Sequence, residues 1–502
     1  MDFVVLVTLL LGVLWVSLYL IRRMKPGHSM PPSPPADPLI GHMRMIPEHD
    51  AHLFFHELSK KYGKIISLRV PRRTLIILNS AKAAVDLLEK RSSVYSDRPS
   101  SDVMSLMGFV SNLVFFPYGE NFRRHRRLLN EYFHQKKCIS YQGVQEQEAH
   151  RLIHSLEASP EKFEDHLNRY SASIILNVAH GHQVQGEDDE YMKIAEAVEY
   201  AITHCAPPGS NFVDMFPFLK NMPSWIPGTF AATQARLFRP AVDRMHDYPF
   251  EDAKRKQAAG SSVESLLSCE LEKINREGEN YMYSAQDVKG ATAVVYIAGA
   301  DTTFCTLLIF MLAMVLYPEA QIKAQEELDR LTGGTRLPTF EDRNSLPYLE
   351  NLVQETYRWH SSVPSGIPHR CMEDDIYEGM FIPKGSIVIA NTHAMMRDED
   401  VYREPDKFDP GRYDRGEPYP VSQFGFGRRI CPGRHLADAS VFIAIASILA
   451  VYRVEPITDN AGKPILPPEE FESAITSRPK PFKCHITPRN KELITSQGSG
   501  LP

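Results

Sequence analysis

Phe424-Gly425-Phe426-Gly427-Arg428-Arg429-Ile430-Cys431-Pro432-Gly433 sets one cysteine in a fixed frame, F-x-x-G-x-R-x-C-x-G, just before the helical pattern Arg434–Leu449. At average residue usage chance gives that frame on the order of once in 10⁴ chains of this length, so an incidental buried thiol is the poorer reading. A thiol at a helix start meets backbone N–H groups and the positive end of the helix dipole, which favour the thiolate. A thiolate is the axial iron ligand that pushes electron density toward O–O cleavage. In such a site Gly427 and Gly433 let the backbone approach a flat macrocycle. Arg429 is placed to meet a haem propionate, and Phe424 to shield the sulfur from water.

A second constellation is Ala298-Gly299-Ala300-Asp301-Thr302-Thr303, at the middle of the apolar run Ala291–Leu316. A threonine there bonds back to a carbonyl one turn earlier and loosens the helix, which opens a place for water. Asp301 and Thr302 then form an acid–alcohol pair able to relay protons, and Gly299 leaves room for O₂ and substrate. The competing reading is a bent core helix with an incidental acid. A third pair, Glu355-x-x-Arg358, shares one face of the helical run Leu349–Trp359. By itself such a pair is common and usually a surface ion pair of little worth.

The decapeptide around Cys431 is similar to the haem-binding signature of the cytochrome P-450 family, the haem–thiolate monooxygenases. Three further segments resemble that family in the right order. The Asp301-Thr302 segment is similar to its oxygen-activation motif. Glu355-x-x-Arg358 followed by Phe408-Asp409-Pro410-Gly411-Arg412-Tyr413 resembles its E-x-x-R and P-E-R-F pair, with Gly411 in place of Glu and Tyr413 in place of Phe. The resemblance implies a buried Glu355–Arg358–Arg412 cluster that holds the loop carrying the thiolate. Tyr118–Arg127 resembles the W-x-x-x-R helix, with Phe122 for Trp, so one propionate hydrogen bond is lost while Arg126 can still pair. His369, in Pro368-His369-Arg370, is implied at the second propionate, and Val363–Ile367 at the pocket above the haem. The stretches 'PHRCMEDDIYEGMFIPKG' and 'YPEAQIKAQEELD' resemble fungal members of secondary metabolism, of the O-methylsterigmatocystin-oxidoreductase-like type.

These residues need a scaffold. The 502 residues allow one large domain or several small ones. Strand-like runs at Ile65–Val70, Thr74–Leu78 and Phe381–Ile387 are few, and helical period dominates, as in Ala81–Lys90, Gln145–Leu156 and Pro318–Leu331. The fold class expected is mainly α with small β-sheets (α+β), a cytochrome P-450 fold over 39–502. Ala291–Leu316 is long and apolar enough for a membrane span, but Asp301 at its centre favours a central core helix.

At the N-terminus, Phe3–Ile21 is nineteen residues without a charge, followed by Arg22, Arg23 and Lys25. That length nearly spans a bilayer core of about 30 Å. Positive flanks stay cytoplasmic, which predicts a single-pass anchor over 1–25 in the endoplasmic reticulum membrane, with a cytosolic catalytic domain. A cleaved signal peptide would carry its basic residues first, whereas here Asp2 precedes the run. Residues 26–38, with Pro31, Pro32, Pro34 and Pro35, read as a stiff hinge. Phe212, Phe216, Phe218, Trp225 and Phe230 among prolines suit a lid touching lipid, or a buried loop core.

Composition sets the exclusions. Hydrophobic residues are 43% and charged residues 24%, ordinary for a globular chain. Lys+Arg total 56 against Asp+Glu 62, a net charge of -6, without the basic excess of a nucleic-acid binder. Seven scattered cysteines form no CxxC pair and are too few for a disulfide scaffold.

The resulting expectation is a membrane-anchored monooxygenase carrying haem b. It takes electrons from NADPH through cytochrome P-450 reductase, with cytochrome b5 as a further donor. It oxidises a small apolar substrate, first a terpenoid of fungal secondary metabolism, next a polycyclic aromatic or xenobiotic compound. Arg123, Arg124 and Arg127 offer either a docking face for an acidic donor or a solvated stripe. A haem–thiolate isomerase or dehydratase and a non-catalytic haem sensor are the rivals, and the Asp301-Thr302 pair argues against both.

Overall fold

The computed structural model describes residues 12–13, 28–186, 188–204 and 211–495. The apolar run Phe3–Ile21, apart from the helical residues Gly12 and Val13, lies outside them, as do Arg22, Arg23 and Lys25.

The elements that position the site are, in chain order, β1 (Ile65–Val70), β2 (Arg73–Leu78), α1 (Glu120–Phe133), α2 (Phe163–His180), α3 (Glu190–His204), α4 (Phe230–Ala258), α5 (Ala285–Leu316), α6 (Pro347–Trp359), β3 (His369–Arg370), β4 (Ile387–Ala390) and α7 (Arg434–Val451). The chain is mostly helical with small sheets, as the periodicity predicts.

The 32-residue α5 is the axis of the fold. Ser284 and Asp287 start it with a reciprocal capping box, and Pro318 opens the next helix just after it ends. From Leu307 to Val315 no residue is more than 2% exposed, so this half is wrapped on every side. A helix apolar all round belongs inside a core. By length and composition α5 and α7 could each cross a membrane, yet 78% and 72% of their most apolar stretches are buried in the protein. Packing of α5 on α2 is close: a Cβ on Gly299 would lie 2.7 Å from Ile175 Cγ1.

The main sheet has the order β1-β2-β4-β3. A tight turn joins β1 to β2, with Val70 opposite Arg73 and Arg72 at φ 64. β4 runs parallel to β2 (Leu75 opposite Ile387), and β3 runs antiparallel to β4 (His369 opposite Val388). The alternating apolar residues Ile66, Leu68, Ile76 and Leu78 are all solvent-free. Part of the proline stretch lies along this sheet. Ser67 donates from its backbone N to Pro32 O at 2.9 Å and from Oγ to Pro31 O at 2.7 Å.

The run Ala81–Lys90, expected as one α-helix, starts as one and widens to π geometry over Val85–Lys90. Such widening tends to mark functional sites. Here it brings the backbone of Leu88 and Glu89 against the loop before Cys431. A Cβ on Gly427, whose φ is 53°, would lie 2.2 Å from Leu88 O. Gly427 thus serves a backbone crossing, where close approach to a macrocycle was expected.

Candidate active site

Cys431 sits between a 3-10 turn, Gly427–Arg429, and the start of α7. Its backbone N donates to Phe424 O at 2.8 Å, which folds the loop back on itself. A Cβ on Gly433 would meet nothing nearer than the sulfur, 4.0 Å away. The N–H groups of Gly433 and Arg434, and the charges of Arg126 and Arg434, all favour the thiolate, but burial outweighs them and raises the thiol pKa. A cation bonded to the sulfur would favour the thiolate further.

Beside this loop three guanidiniums and an imidazole meet without a carboxylate of their own. Arg429 donates from Nε to Ser96 O at 2.7 Å and from Nη2 to Phe116 O at 2.7 Å. Arg126, from α1, donates to Ile430 O. His369, from β3, donates from Nδ1 to Tyr95 O at 2.7 Å. Arg98 is the fourth member and carries no motif signal. It donates from Nε to Val114 O at 3.1 Å and from Nη1 to Ile367 O and Pro368 O at 2.7 and 2.8 Å. The nearest acid, Asp97, is taken by Arg370 and by the Tyr118 N–H. Burial pushes Arg98 and Arg126 down and Arg429 down to about 10. Burial and the charges of Arg98 and Arg429 hold His369 far below its usual range.

Buried cations held only by carbonyls are costly, and an anion bound among them relieves the cost. A haem carries two propionates, and its iron would deprotonate Cys431, so this donor set fits the group. With Nδ1 committed to a carbonyl, His369 meets a propionate as a donor only in its imidazolium form, which that anion favours.

On α5, Ala298 is exposed, and Ile297, Gly299, Asp301 and Thr302 beside it are half-buried. Thr302, one turn on along the same face, donates from Oγ1 to Ala298 O at 2.8 Å, the back-bond expected from the sequence. Gly299 packs on Ile175 of α2, where a Cβ would not fit. Asp301 accepts from the Cys305 thiol at 3.6 Å. Burial, then the Asp301 charge, raises Cys305 well above its normal range and also raises Glu199 on α3. Glu199 is paired with Arg478 at 3.0 Å, and Arg478 with Glu472 at 2.7 Å. Cys305 lies one turn from Asp301 on α5, a local spacing, whereas Glu199 and Arg478 come from two distant parts of the chain and carry no local pattern.

Beneath the cysteine loop, α6 supplies Glu355 and Arg358, both solvent-free. Arg358 grips Glu355 through Nε at 2.8 Å and Nη2 at 2.9 Å. Its Nη1 donates to Met396 O and Pro405 O at 2.8 and 2.7 Å. Arg412, 1% exposed, reaches Glu355 Oε1 at 3.0 Å and Glu417 Oε2 at 2.7 Å. The expected triad is present, and Glu417 supplies a second carboxylate that the Gly411 departure did not forecast.

Two surface features complete the picture. On α1, Arg123 and Arg127 are exposed, whereas Arg124 and His125 pair with Asp287 at 2.7 and 3.0 Å. In the aromatic segment Phe212, Phe218, Trp225 and Phe230 are 49%, 61%, 80% and 67% exposed, which rules out a buried loop core for those four.

Comparison with known proteins agrees with this geometry. The profile of the Cytochrome P450 family matches residues 31–486. The chain is 36% identical to cytochrome P450 monooxygenase 136 of Postia placenta, over 93% of this chain and 90% of that one. It is 37% identical to cytochrome P450 monooxygenase claR of Ampulloclitocybe clavipes, over 96% and 90%. It is 35% identical to tryptamine 4-monooxygenase of Psilocybe cyanescens, over 98% and 99%. With motifs, fold and near full-length relatives in agreement, the chain belongs to the cytochrome P450 family, a haem–thiolate monooxygenase served by a reductase partner.

Proposed function

We propose that this monooxygenase oxidises a small apolar natural product, a terpenoid of fungal secondary metabolism, from a single-pass anchor in the endoplasmic reticulum membrane. The observation that carries the reading is the back-bond on α5, which itself stays a continuous helix. Thr302 bonds back to Ala298 beside Asp301, and the same chain carries the Cys431 loop with its propionate-type cation cluster. In this reading Cys431 would hold the haem iron through its sulfur, and Arg126, Arg429, His369 and Arg98 would hold the propionates. Phe424 and Gly433 shape the sulfur's surroundings. The bound haem supplies activation of O₂. The chain positions the substrate, excludes water and delivers protons through the Thr302 hydroxyl and the Asp301 carboxyl. Glu355, Arg358, Arg412 and Glu417 keep the cysteine loop in place.

The exposed Phe212, Phe218, Trp225 and Phe230 support entry of an apolar substrate from lipid. Arg123 and Arg127 offer a cationic face to the reductase, with cytochrome b5 as a second donor. The tryptamine-oxidising relative makes an aromatic amine the second substrate class.

Oxygen incorporation tests this. Membranes holding the protein and its reductase receive NADPH, isotopically heavy O₂ and a panel of terpenoids, polycyclic aromatics and aryl amines. One heavy oxygen in a terpenoid is the expected result. Labelling of polycyclic aromatics or amines alone overturns the terpenoid assignment. Product formed without NADPH and without label revives an isomerase or dehydratase.

A further inference from the structure

We propose that Phe122 is a positioning residue that holds the Arg429 guanidinium flat at the propionate site by a cation–π stack. The proposal rests on haem binding by this cluster. The family's motif places a Trp here, whose N–H can donate to a propionate. Phe122 has no such donor. Its ring instead lies under Arg429, with the guanidinium carbon 3.7 Å from the ring centroid.

Both partners are buried, Phe122 at 3% and Arg429 at 9% exposure. The negative face of an aromatic ring attracts a cation most strongly where water is excluded. Among the described residues the hydrogen-bond partners of Arg429 are the carbonyls of Ser96, Leu113 and Phe116, and the one nearby anion, Asp97, is ion-paired to Arg370 and reaches Arg429 only through space. These carbonyls fix the edge of the guanidinium plane, and the ring fixes its face. Arg98 nearby adds repulsion, since its own pKa is depressed by Arg429 after burial. A fork so placed needs a support that carries no counter-charge, because a carboxylate would compete with the propionate.

The support itself is braced. The Tyr118 ring is 5.6 Å from the Phe122 ring, and Arg428 donates to the Tyr118 hydroxyl at 2.5 Å. An aromatic column therefore runs from the exposed Arg428 inward to the buried Arg429. Relative to Trp, Phe122 loses one hydrogen bond and keeps a ring face on which Arg429 stacks.

The test is a double-mutant cycle on full-length holoprotein, read as the rate of haem transfer to excess apomyoglobin. Phe122→Met keeps the volume and removes the ring, Phe122→Tyr keeps the ring, and Arg429→Gln removes the cation. Phe122→Met should speed haem loss about tenfold in the wild-type background and less than about twofold beside Arg429→Gln. Phe122→Tyr should stay within about threefold of wild type. If Arg429→Gln retains no haem, Arg429→Lys, which keeps the charge but loses the flat fork, is the second background and should blunt the Phe122→Met effect. An equal effect of Phe122→Met with and without Arg429 reduces Phe122 to core packing and overturns the proposal. So does a Phe122→Tyr protein that loses haem as fast as Phe122→Met. A wild-type chain that binds no haem overturns the haem reading itself, a result distinct from absent coupling.

Discussion

Tyr413 donates its hydroxyl hydrogen to Glu355 Oε2 at 2.9 Å, so the carboxylate at the centre of the buried network is held by a phenol as well as by two arginines. The family's phenylalanine could not make this bond. Glu355 has no solvent to turn to, and the backbone N–H of Asp409 donates to its other oxygen at 2.8 Å. The departure from P-E-R-F therefore adds a donor to a desolvated charge, and Glu417 replaces the missing acid.

Tyr413→Phe should lower the stability of the holoprotein by about 1.5–3 kcal/mol, the worth of a hydrogen bond to a buried charge. Urea unfolding, followed by loss of haem absorbance, measures it. An unchanged midpoint means that Glu355 does not depend on the phenol.

Cys431→Ser replaces the only proposed sulfur ligand with a poor one. The expected protein folds, because the Cys431 N–H to Phe424 carbonyl bond is backbone to backbone. It should show no thiolate signature in the absorption of its reduced carbon monoxide complex and no NADPH-dependent turnover. A retained signature would move the ligand to another cysteine.

Thr302→Ala removes the hydroxyl that bonds Ala298 O and stands next to Asp301. Substrate should still bind and NADPH should still be consumed, while product per NADPH falls by roughly tenfold or more and peroxide rises to match. A fully coupled Thr302→Ala enzyme would remove the acid–alcohol relay from the mechanism.

Stability should fall on acidification through a histidine cluster remote from the haem site. His52 and His393 rings are 5.0 Å apart, and His56 and His393 are 5.6 Å apart. Burial pushes His52 down to about 4, against Asp50 and aided by Arg397; burial also lowers His56 and His393. Folded pKa values below the unfolded value mean that the unfolded chain binds more protons between pH about 6.5 and 4. Stability present above that window is lost within it, at up to roughly 1.4 kcal/mol per pH unit for each histidine kept neutral. Denaturant midpoints at pH 7 and pH 5 measure the slope, and His52→Gln should make it shallower. An unchanged slope would place the titrating groups elsewhere.

The motif residues were legible because each lies in a short local frame. The spacing around Cys431, the back-bond of Thr302 and the one-face pair Glu355–Arg358 depend on helix geometry alone, and the structure places them as that geometry requires. Arg98, Glu199 and Arg478 were not legible, since chain segments far apart in sequence bring them to the site, whereas Cys305 and Glu417 lie only four and five residues from Asp301 and Arg412 and were passed over. The glycines mark the boundary. Gly299 and Gly427 were noticed for their smallness, but the neighbours that require it, Ile175 and Leu88, lie more than a hundred residues away.

The sequence by itself determined the chemistry: a thiol in a glycine-framed loop before a helix, an acid–alcohol pair on the central helix, and the family that joins them. Periodicity of 3.6 and 2 also set most element types, because backbone hydrogen bonding and burial act over a few residues. Only the tertiary structure decided which charges face one another without hydrogen-bonded counter-ions, that burial opposes the helix start at the Cys431 sulfur, and that Phe122 lies under Arg429. Desolvation and close packing depend on what surrounds a group in space, and a linear spacing carries no record of that.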